Sequence, residues 1–464
     1  MTERHSAGDG IATTYPPARP VASLDEFWSW WDERSRANRF EVVQVPFREL
    51  GEWDFQPETG NLAHRSGRFF TVEGLQAREA GVDAWSQPII NQPEIGILGI
   101  VVKEFDGVLH CLMQAKMEPG NVNTLQLSPT VQATRSNYTQ VHRGGTTRYL
   151  EHFVGPGRGQ VVVDVLQSEQ GAWFWRKRNR NIVVLVTEDI PVHEDFRWLS
   201  LRDVRALLRV DNLVNMDART VLSCMPFELP REPSQPYGDE FTDALARSYE
   251  HGSGAGLHTA GEILSWFTEA KTRCDWTARL IPLSRVRRWS RDDHELADDE
   301  RRLFRIIGVR VEAVTREVTR WSQPLLAPRG QGEAWLVTRA IDGVLHALVR
   351  ARIEFGLMDL VEMAPTIHLL PGESLTDVKE PLLKELVSAD AGRVRYDAVL
   401  SEEGGRFHHA LTRYRIVEVD DAFPVEVPQD FCWMTVRQLT DLLRHGHYLN
   451  IEARSLLACL QSAL

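Results

Sequence analysis

The chain has 464 residues, of which 43% are hydrophobic and 25% charged, an ordinary composition for a globular protein with enough apolar material for two cores. Its 53 basic and 65 acidic residues give a formal charge of −12, which disfavours nucleic acid as a partner. No apolar run reaches about 18 residues and no basic-then-apolar leader opens the chain, so we expect no membrane contact and a cytoplasmic location. The five cysteines lack CxxC spacing, which favours reduced thiols.

The first predicted elements are a flexible lead-in over residues 1–20 and an amphipathic helix directly after it. Apolar residues recur at i, i+3, i+4 and i+7 from Leu24 to Trp31, the spacing of one helix face. Ser23 and Glu26 stand three residues apart at its start, which predicts a capping box that satisfies free amide groups.

Two β-hairpins and two helices follow. Residues 97–105 and 108–118 flank an Asp-Gly pair at 106–107, a dipeptide that tolerates the positive φ angles of a type I′ turn. A second hairpin is predicted around residues 168–171, and two helices close the region, the last with Asn215 as N-cap. Hairpins interspersed with helices predict an α+β (mixed α/β) fold.

The same order of elements then repeats. The sequence Asp-Gly-Val-Leu-His of residues 106–110 returns at 342–346, and Trp-Ser-Gln-Pro of 85–88 returns at 321–324, both 236 residues later. Solenoid repeats have periods of about 20 to 50 residues, so this is the duplication of a whole domain. We predict copy one over residues 21–229 and copy two over 258–464, each a self-sufficient fold, joined by a linker over 230–257 rich in Pro and Gly.

The strand after the first Asp-Gly turn alternates between apolar and polar residues, so its polar side chains share one face. One interpretation is a solvated sheet face; the other is a donor-rich row that binds an anionic ligand. In copy one the row contains His110, Gln114, Lys116 and Glu118, and in copy two it contains His346, Arg350, Arg352 and Glu354.

Two later segments are candidate ligand contacts. Residues 144–148 read Gly-Gly-Thr-Thr-Arg and could present amides, hydroxyls and a guanidinium to a diphosphate, although a polar surface loop fits as well. Residues 173–180 interleave aromatic and basic side chains, either to stack a nucleobase and hold phosphate or to form a charged hairpin arm. HExxH, paired Cys-His spacing and G-x-S-x-G are absent, so zinc chemistry and an acyl-transferring serine have no support.

Residues 112–138 and 308–324 resemble the NDP-hexose 2,3-dehydratases of antibiotic deoxysugar pathways. The resemblance covers nearly the whole chain after residue 20 and implies two Nudix-like domains, a homodimer and dehydration of dTDP-4-keto-6-deoxy-D-glucose without metal or redox cofactor. It also implies that the product, a 3,4-diketo-2,6-dideoxy sugar, passes to a pathway 3-ketoreductase. Copy two departs from the family pattern after Ala364-Pro365-Thr366, where the chain continues Ile367-His368.

The resemblance and the residue patterns together give a set of candidate site residues, with no metal ligand among them. The acid and base are expected among Lys116, Glu118, Tyr138 and Tyr149. Substrate-binding residues are expected among Trp53, Gln114, Gln126, Thr146, Thr147, Arg148, Arg350, Arg352 and Glu354.

Two rival functions remain at this point. A Nudix-type hydrolase needs a carboxylate-rich Arg-Glu-x-x-Glu-Glu helix for magnesium, whereas Arg316-Glu317 is followed here by Val-Thr-Arg-Trp. A non-catalytic sugar-nucleotide binding protein would hold the same ligand and leave it unchanged.

Overall fold

The computed structural model describes residues 19–134, 147–155, 159–225, 238–250, 256–313, 319–388 and 393–463. Its helices are α1 Leu24–Ala37, α2 Leu201–Leu207, α3 Met216–Ser223, α4 Glu240–Glu250, α5 Ala260–Thr272, α6 Pro381–Ser388, α7 Val436–Leu442 and α8 Ile451–Leu460. The strands of copy one are β1 Phe40–Val45, β2 Trp53–Phe55, β3 Leu62–His64, β4 Thr71–Glu79, β5 Val82–Asn91, β6 Gly96–Phe105, β7 Val108–Met117, β8 Leu125–Ser128, β9 Val131–Ala133, β10 Gln160–Ser168, β11 Arg178–Leu185 and β12 Phe196–Ser200. Those of copy two are β13 Trp276–Ile281, β14 Trp289–Arg291, β15 Glu295–Asp298, β16 Phe304–Ala313, β17 Arg320–Pro328, β18 Gly332–Ile341, β19 Val344–Ile353, β20 Val361–Ala364, β21 Ile367–Leu369, β22 Arg393–Ser401, β23 Leu411–Glu418 and β24 Phe431–Thr435.

Each copy builds a seven-stranded mixed sheet. In copy one the order is β10-β11-β6-β7-β12, with β8 on β7 and β9 on β6; copy two has the order β20-β19-β18-β23-β22, with β21 on β18 and β24 on β19. One pair in each sheet is parallel, β11 with β6 and β18 with β23. The α+β class and the repeated halves are therefore confirmed.

The predicted turn and caps also appear in the structure. Asp106 has φ 51° and Gly107 has φ 80°, the two left-handed residues that a type I′ turn requires. The Thr259 hydroxyl and the Glu262 carboxylate form a complete capping box, and Asn215 caps α3 as predicted. At α1 only half of the capping box forms. The Ser23 hydroxyl accepts from the backbone amide of Glu26, but the Glu26 carboxylate accepts from the amide of Ala22 instead of that of Ser23.

The two copies exchange one strand each. β1 of copy one pairs with β16 of copy two, from Phe40 opposite Ala313 to Val45 opposite Gly308. In return β13 of copy two pairs with β4 of copy one. The two smaller sheets are therefore each completed by the other copy, so neither copy is the separate, self-sufficient fold that the duplication predicted.

The predicted solvated sheet face is wrong, because the large sheet of copy one is covered on both sides. One face packs Cys111 and Met113 against Phe27 and Trp30 of α1. The other face, which carries the polar row, is covered by a second cluster that includes Phe153. The histidine and glutamate of the row, His110 and Glu118, are each only 7% exposed.

The predicted linker contains α4, which packs on copy two. Phe241, Leu245 and Tyr249 recur at helical spacing and enter the main core of copy two, and the hydroxyl of Ser248 donates to the carbonyl of Leu345. The Pro and Gly residues on both sides of this helix hid its periodicity. In the part of the chain that the structure describes, no helix is long and apolar enough to cross a membrane.

Candidate active site at the seam between the two copies

The two copies meet along a seam where the loop after β7 contacts the loop after β22, and the loop after β19 contacts the loop after β10. Glycine backbones make these contacts. The amide of Gly120 donates to the carbonyl of Gly404 at 2.7 Å, and the equivalent amide of Gly356 donates to the carbonyl of Gly171 at 2.8 Å. A Cβ on Gly120 would lie 1.6 Å from the carbonyl oxygen of Phe407. Only glycine permits this approach, which carries each copy's second hairpin into the other copy.

Two buried arginines fasten these hairpins from the closing helices. Arg219 of α3 donates to the carbonyl of Ser401 at 2.9 Å, and Arg454 of α8 donates to the carbonyl of Ser168. Both side chains are fully buried and also donate within their own copies, to the carbonyls of Val214 and Leu449. Because several charge-assisted hydrogen bonds satisfy each guanidinium, the hairpins are held rigidly.

The copy-one cluster comprises Lys116, Glu118, Gln132, Asn215 and Asp217. The Lys116 ammonium lies 3.7 Å from the Glu118 carboxylate and donates to the backbone carbonyl of Gln132 at 3.2 Å. The Gln132 amide donates to Glu118 at 2.7 Å and accepts from the Asn215 amide at 3.1 Å. Strands β7 and β9 and the N-cap of α3 thus deliver a cation, a carboxylate and two amides to one place.

A further carboxylate enters this cluster from copy two. A Cβ added to Gly405 would lie 2.5 Å from Oε1 of Glu403 and 3.5 Å from Oε1 of Glu118. Because both oxygens lie within 3.5 Å of the same point, the two carboxylates are neighbours. Burial and the neighbouring Glu118 raise the pKa of Glu403 to about 7. Burial, and then nearby Glu169 and Glu403, raise the pKa of Asp217 well above its usual range.

The copy-two cluster repeats this geometry with Arg352, Glu354, His368, Asn450 and Glu452. Arg352 donates to the carbonyl of His368 at 2.7 Å and lies 3.9 Å from Glu354. Asn450 donates directly to Glu354 at 2.8 Å, because a histidine stands where copy one has Gln132. Burial lowers the pKa of His368 well below its usual value.

Among the described residues, one group of side chains has ligand atoms close enough for a metal ion, namely Glu354, His368 and Glu452. The His368 Nδ1 atom lies 3.7 Å from Glu354 and the Nε2 atom lies 3.7 Å from Glu452. These two approaches use opposite sides of the imidazole ring, whereas one ion binds one ring nitrogen. The two shortest contacts therefore involve different ring nitrogens, whereas one ligand atom from each of the three residues lies within 4.8 Å of the other two. Sequence spacing gave no sign of this group.

Two predicted binding residues, Trp53 and Gln126, already make hydrogen bonds within the protein. The Trp53 side chain is 5% exposed, packs on Phe70 and donates to the carbonyl of Ser322. Gln126 is fully buried and donates to the hydroxyl of Ser401 across the seam. Gln126 also stands opposite Lys116 on the neighbouring strand, and the role of both side chains in substrate binding stays a prediction.

Tyr149, a predicted acid or base, is hydrogen-bonded through its hydroxyl. Its hydroxyl donates to the carbonyl of Pro191 at 2.7 Å and accepts from the amide of His193 at 3.1 Å. Burial raises the pKa of Tyr149 to about 12, which makes it a poor acid or base near neutral pH. Its ring packs on Phe196 at 4.8 Å, so it belongs to the core that covers the sheet.

The remaining predicted residues are placed as follows. Arg148 is exposed and its guanidinium contacts His193, while Thr147 is half-buried at the start of the same turn. Gln114 is half-buried on β7, and Arg350 pairs with Glu380 at 3.0 Å. Tyr138 and Thr146, with Arg316-Glu317, lie outside the described residues.

The segment at 173–180 divides in two: the basic residues from Arg178 open β11, one arm of the β10–β11 hairpin, whereas the aromatic residues precede that strand. Trp173 and Phe174 are buried against Phe407 of copy two, with ring centroids 4.7 Å and 5.1 Å apart. Strand β11 begins only at Arg178, so the aromatic residues lie in the loop that enters the seam. They hold the two copies together.

A sequence model of the NDP-hexose 2,3-dehydratase family matches residues 24–225 and again residues 260–460. The chain belongs to this family. Both matches include the residues of one cluster, so the repeated site geometry coincides with the repeated family pattern.

Three relatives are similar over nearly their whole length, and each is named a dTDP-4-dehydro-6-deoxy-α-D-glucopyranose 2,3-dehydratase. The relative from Saccharopolyspora spinosa is 53% identical, covering 94% of this chain and 91% of its own. The relative from Streptomyces violaceoruber is 51% identical, covering 94% and 96%, and the relative from Amycolatopsis orientalis is 43% identical, covering 99% and 95%. A solved structure, the Ap4A hydrolase of C. elegans, aligns with 25% of this chain and 86% of its own, at 11% identity and a TM-score of 0.18.

Proposed function

We propose that this dehydratase acts on dTDP-4-keto-6-deoxy-D-glucose as a carbon–oxygen lyase, removing the C3 proton and the C2 hydroxyl. The observation that carries the proposal is the family match over both copies, supported by relatives of 43 to 53% identity that bear this name. The 3-hydroxy enone formed first tautomerises to the 3,4-diketo-2,6-dideoxy sugar.

The chemistry asks for a base, a stabiliser of negative charge and an acid. The ketone at C4 acidifies the C3 hydrogen, so a carboxylate can remove it if the developing enolate oxygen is stabilised. We assign the base to Glu118 and the charge stabilisation to the Lys116 ammonium 3.7 Å away. Gln132 orients the Glu118 carboxylate through its 2.7 Å hydrogen bond.

The diphosphate is assigned to Thr146, Thr147 and Arg148. Arg148 offers an exposed guanidinium, and a planar fork of this kind pairs with phosphate oxygens in two places. Tyr138, in the same stretch of sequence, stays a candidate acid.

We infer that each copy is Nudix-like, that the protein is a cytoplasmic homodimer, and that a 3-ketoreductase receives the reactive diketone. No metal or redox cofactor enters the reaction, because the substrate's own ketone supplies the electrophile.

Incubation with dTDP-4-keto-6-deoxy-D-glucose in D₂O tests the proposal. We expect a product that has lost one water, with deuterium at C2, and exchange of the C3 hydrogen. Release of a sugar phosphate and dTMP would instead identify a hydrolase. Binding without any change in the sugar would identify a non-catalytic carrier.

A further inference from the structure

We propose that Glu403, which copy two supplies to the copy-one cluster, is the acid that protonates the departing C2 hydroxyl. The inference rests on the proposed function and assigns the acid, the role that Lys116 and Glu118 do not fill, to Glu403 in preference to Tyr138. It makes the catalytic site a joint product of both copies, because base and acid come from different halves of the chain.

Hydrogen bonds at the tip and at the base of copy two's second hairpin hold Glu403 in the copy-one cluster. Gly120 accepts from the amide of His409 at 2.7 Å and donates to Gly404, so the tip of copy two's hairpin is tied to the turn that follows β7. Arg219 holds the base of the same hairpin through Ser401. These hydrogen bonds across the seam hold Glu403 beside Glu118.

The reciprocal position shows that this carboxyl is not required by the fold. Copy one carries Gln170 and Ala172 where copy two carries Glu403 and Gly405. Gln170 reaches across the seam in the same way, and its amide donates a hydrogen bond to Glu402 at 2.9 Å. A carboxamide cannot act as a proton-transferring acid at neutral pH. A titratable group thus enters only the copy-one cluster at this position.

The surroundings of Glu403 suit an acid. Its Oε1 accepts from the amide of Gly405 at 3.2 Å, whereas its Oε2 atom is buried and accepts no hydrogen bond from any described residue. Burial and the charge of Glu118 raise the pKa to about 7, while Lys116 and Arg406 oppose that rise. A carboxyl whose pKa is raised in this way keeps its proton near neutral pH and can give it to a leaving group.

The step balances without an added reactant. Glu118 takes the C3 proton, and the C3–H electrons form the enolate of the C4 ketone. The enolate electrons then form the C2–C3 double bond as the C2–O bond breaks, and the Glu403 proton joins the leaving oxygen to give water. Glu118 ends protonated and Glu403 ionised, and proton exchange restores both.

The test separates proton removal from elimination. Glu403→Gln should lower kcat at least 100-fold while the C3 hydrogen still exchanges in D₂O at a rate within about fivefold of wild type, since a positioned acid is worth about 10² to 10⁴ in rate. Glu118→Gln should lose exchange and elimination together. In the wild type kcat should fall as pH rises through about 7, because Glu403 loses its proton, and Glu403→Gln should lack that decline.

Matched variants keep the test decisive. Gln170→Met, at the reciprocal position, should change neither exchange nor turnover by more than about threefold. Gly405→Ala, whose Cβ would press on Glu403 Oε1, should show the Glu403→Gln signature in weaker form. Circular dichroism would establish that each variant is folded.

Three results would overturn the assignment. Glu403→Gln could retain normal turnover, or it could lose exchange as completely as Glu118→Gln does. Alternatively, Tyr138→Phe rather than Glu403→Gln could exchange without eliminating, which would make Tyr138 the acid. If wild-type protein gives neither exchange nor elimination, the proposed function itself has failed.

Discussion

The two clusters at the seam have the same backbone plan and different chemistry. Lys116 donates to the backbone carbonyl of Gln132 and Arg352 to that of His368, in each case 16 residues further along the chain. Each cation also lies just under 4 Å from the glutamate two residues after it. Copy one has an ammonium and receives Glu403, whereas copy two has a guanidinium and receives Gln170. Shared geometry thus comes from duplication, and the difference between the copies lies in a few titratable side chains.

The largest expected effect tests which copy catalyses the reaction. Lys116→Ala should lower kcat by about 10² to 10⁴, because the enolate oxygen loses its positioned cation. Arg352→Ala should lower kcat by less than about tenfold. Steady-state kinetics on the keto sugar measures both, and the reverse ranking would move the active site to copy two.

The next effect is on stability and should be the same in both copies. Arg219→Met and Arg454→Met should each lower the free energy of unfolding by about 3 kcal/mol or more, since one charge-assisted hydrogen bond contributes about 1.5 to 3 kcal/mol. Urea unfolding measures the change, with Arg48→Met as the exposed control. A large loss of stability for only one of the two variants would contradict equal contributions of the two arginines.

Arg148 should affect binding rather than chemistry. Contact with the diphosphate in ground and transition states alike raises affinity without accelerating the reaction. Arg148→Ala should therefore raise KM about tenfold or more with little change in kcat, and Arg148→Lys should recover part of the loss. An unchanged KM would mean that the guanidinium serves only its contact with His193.

Metal removal should have the smallest effect. We expect full turnover in excess EDTA, because the ketone of the substrate makes the C3 hydrogen acidic without a Lewis acid. Activity lost to EDTA and restored by zinc or magnesium would contradict this, and His368→Gln would then show whether copy two holds the ion.

Sequence reasoning grouped the candidate residues that lie close together along the chain. Lys116 and Glu118 alternate on one strand, so their common face follows from strand geometry. Glu403 could not be found in this way, because it is 285 residues from Glu118 and belongs to the other copy. For Trp53 and Tyr149, the sequence does not show that the polar atom of the aromatic side chain is already hydrogen-bonded within the protein.

The sequence by itself determined the duplication, the Asp-Gly turns, most helix caps and the family. Each of these depends on residues within a few positions of one another, or on a direct comparison of the two copies. The strand exchange, the covered polar face and the joint site were decided only by the tertiary structure. Gly120 and Gly404 are interpretable as close backbone contacts only once the two hairpins are seen to cross, because nothing local in either sequence specifies its partner.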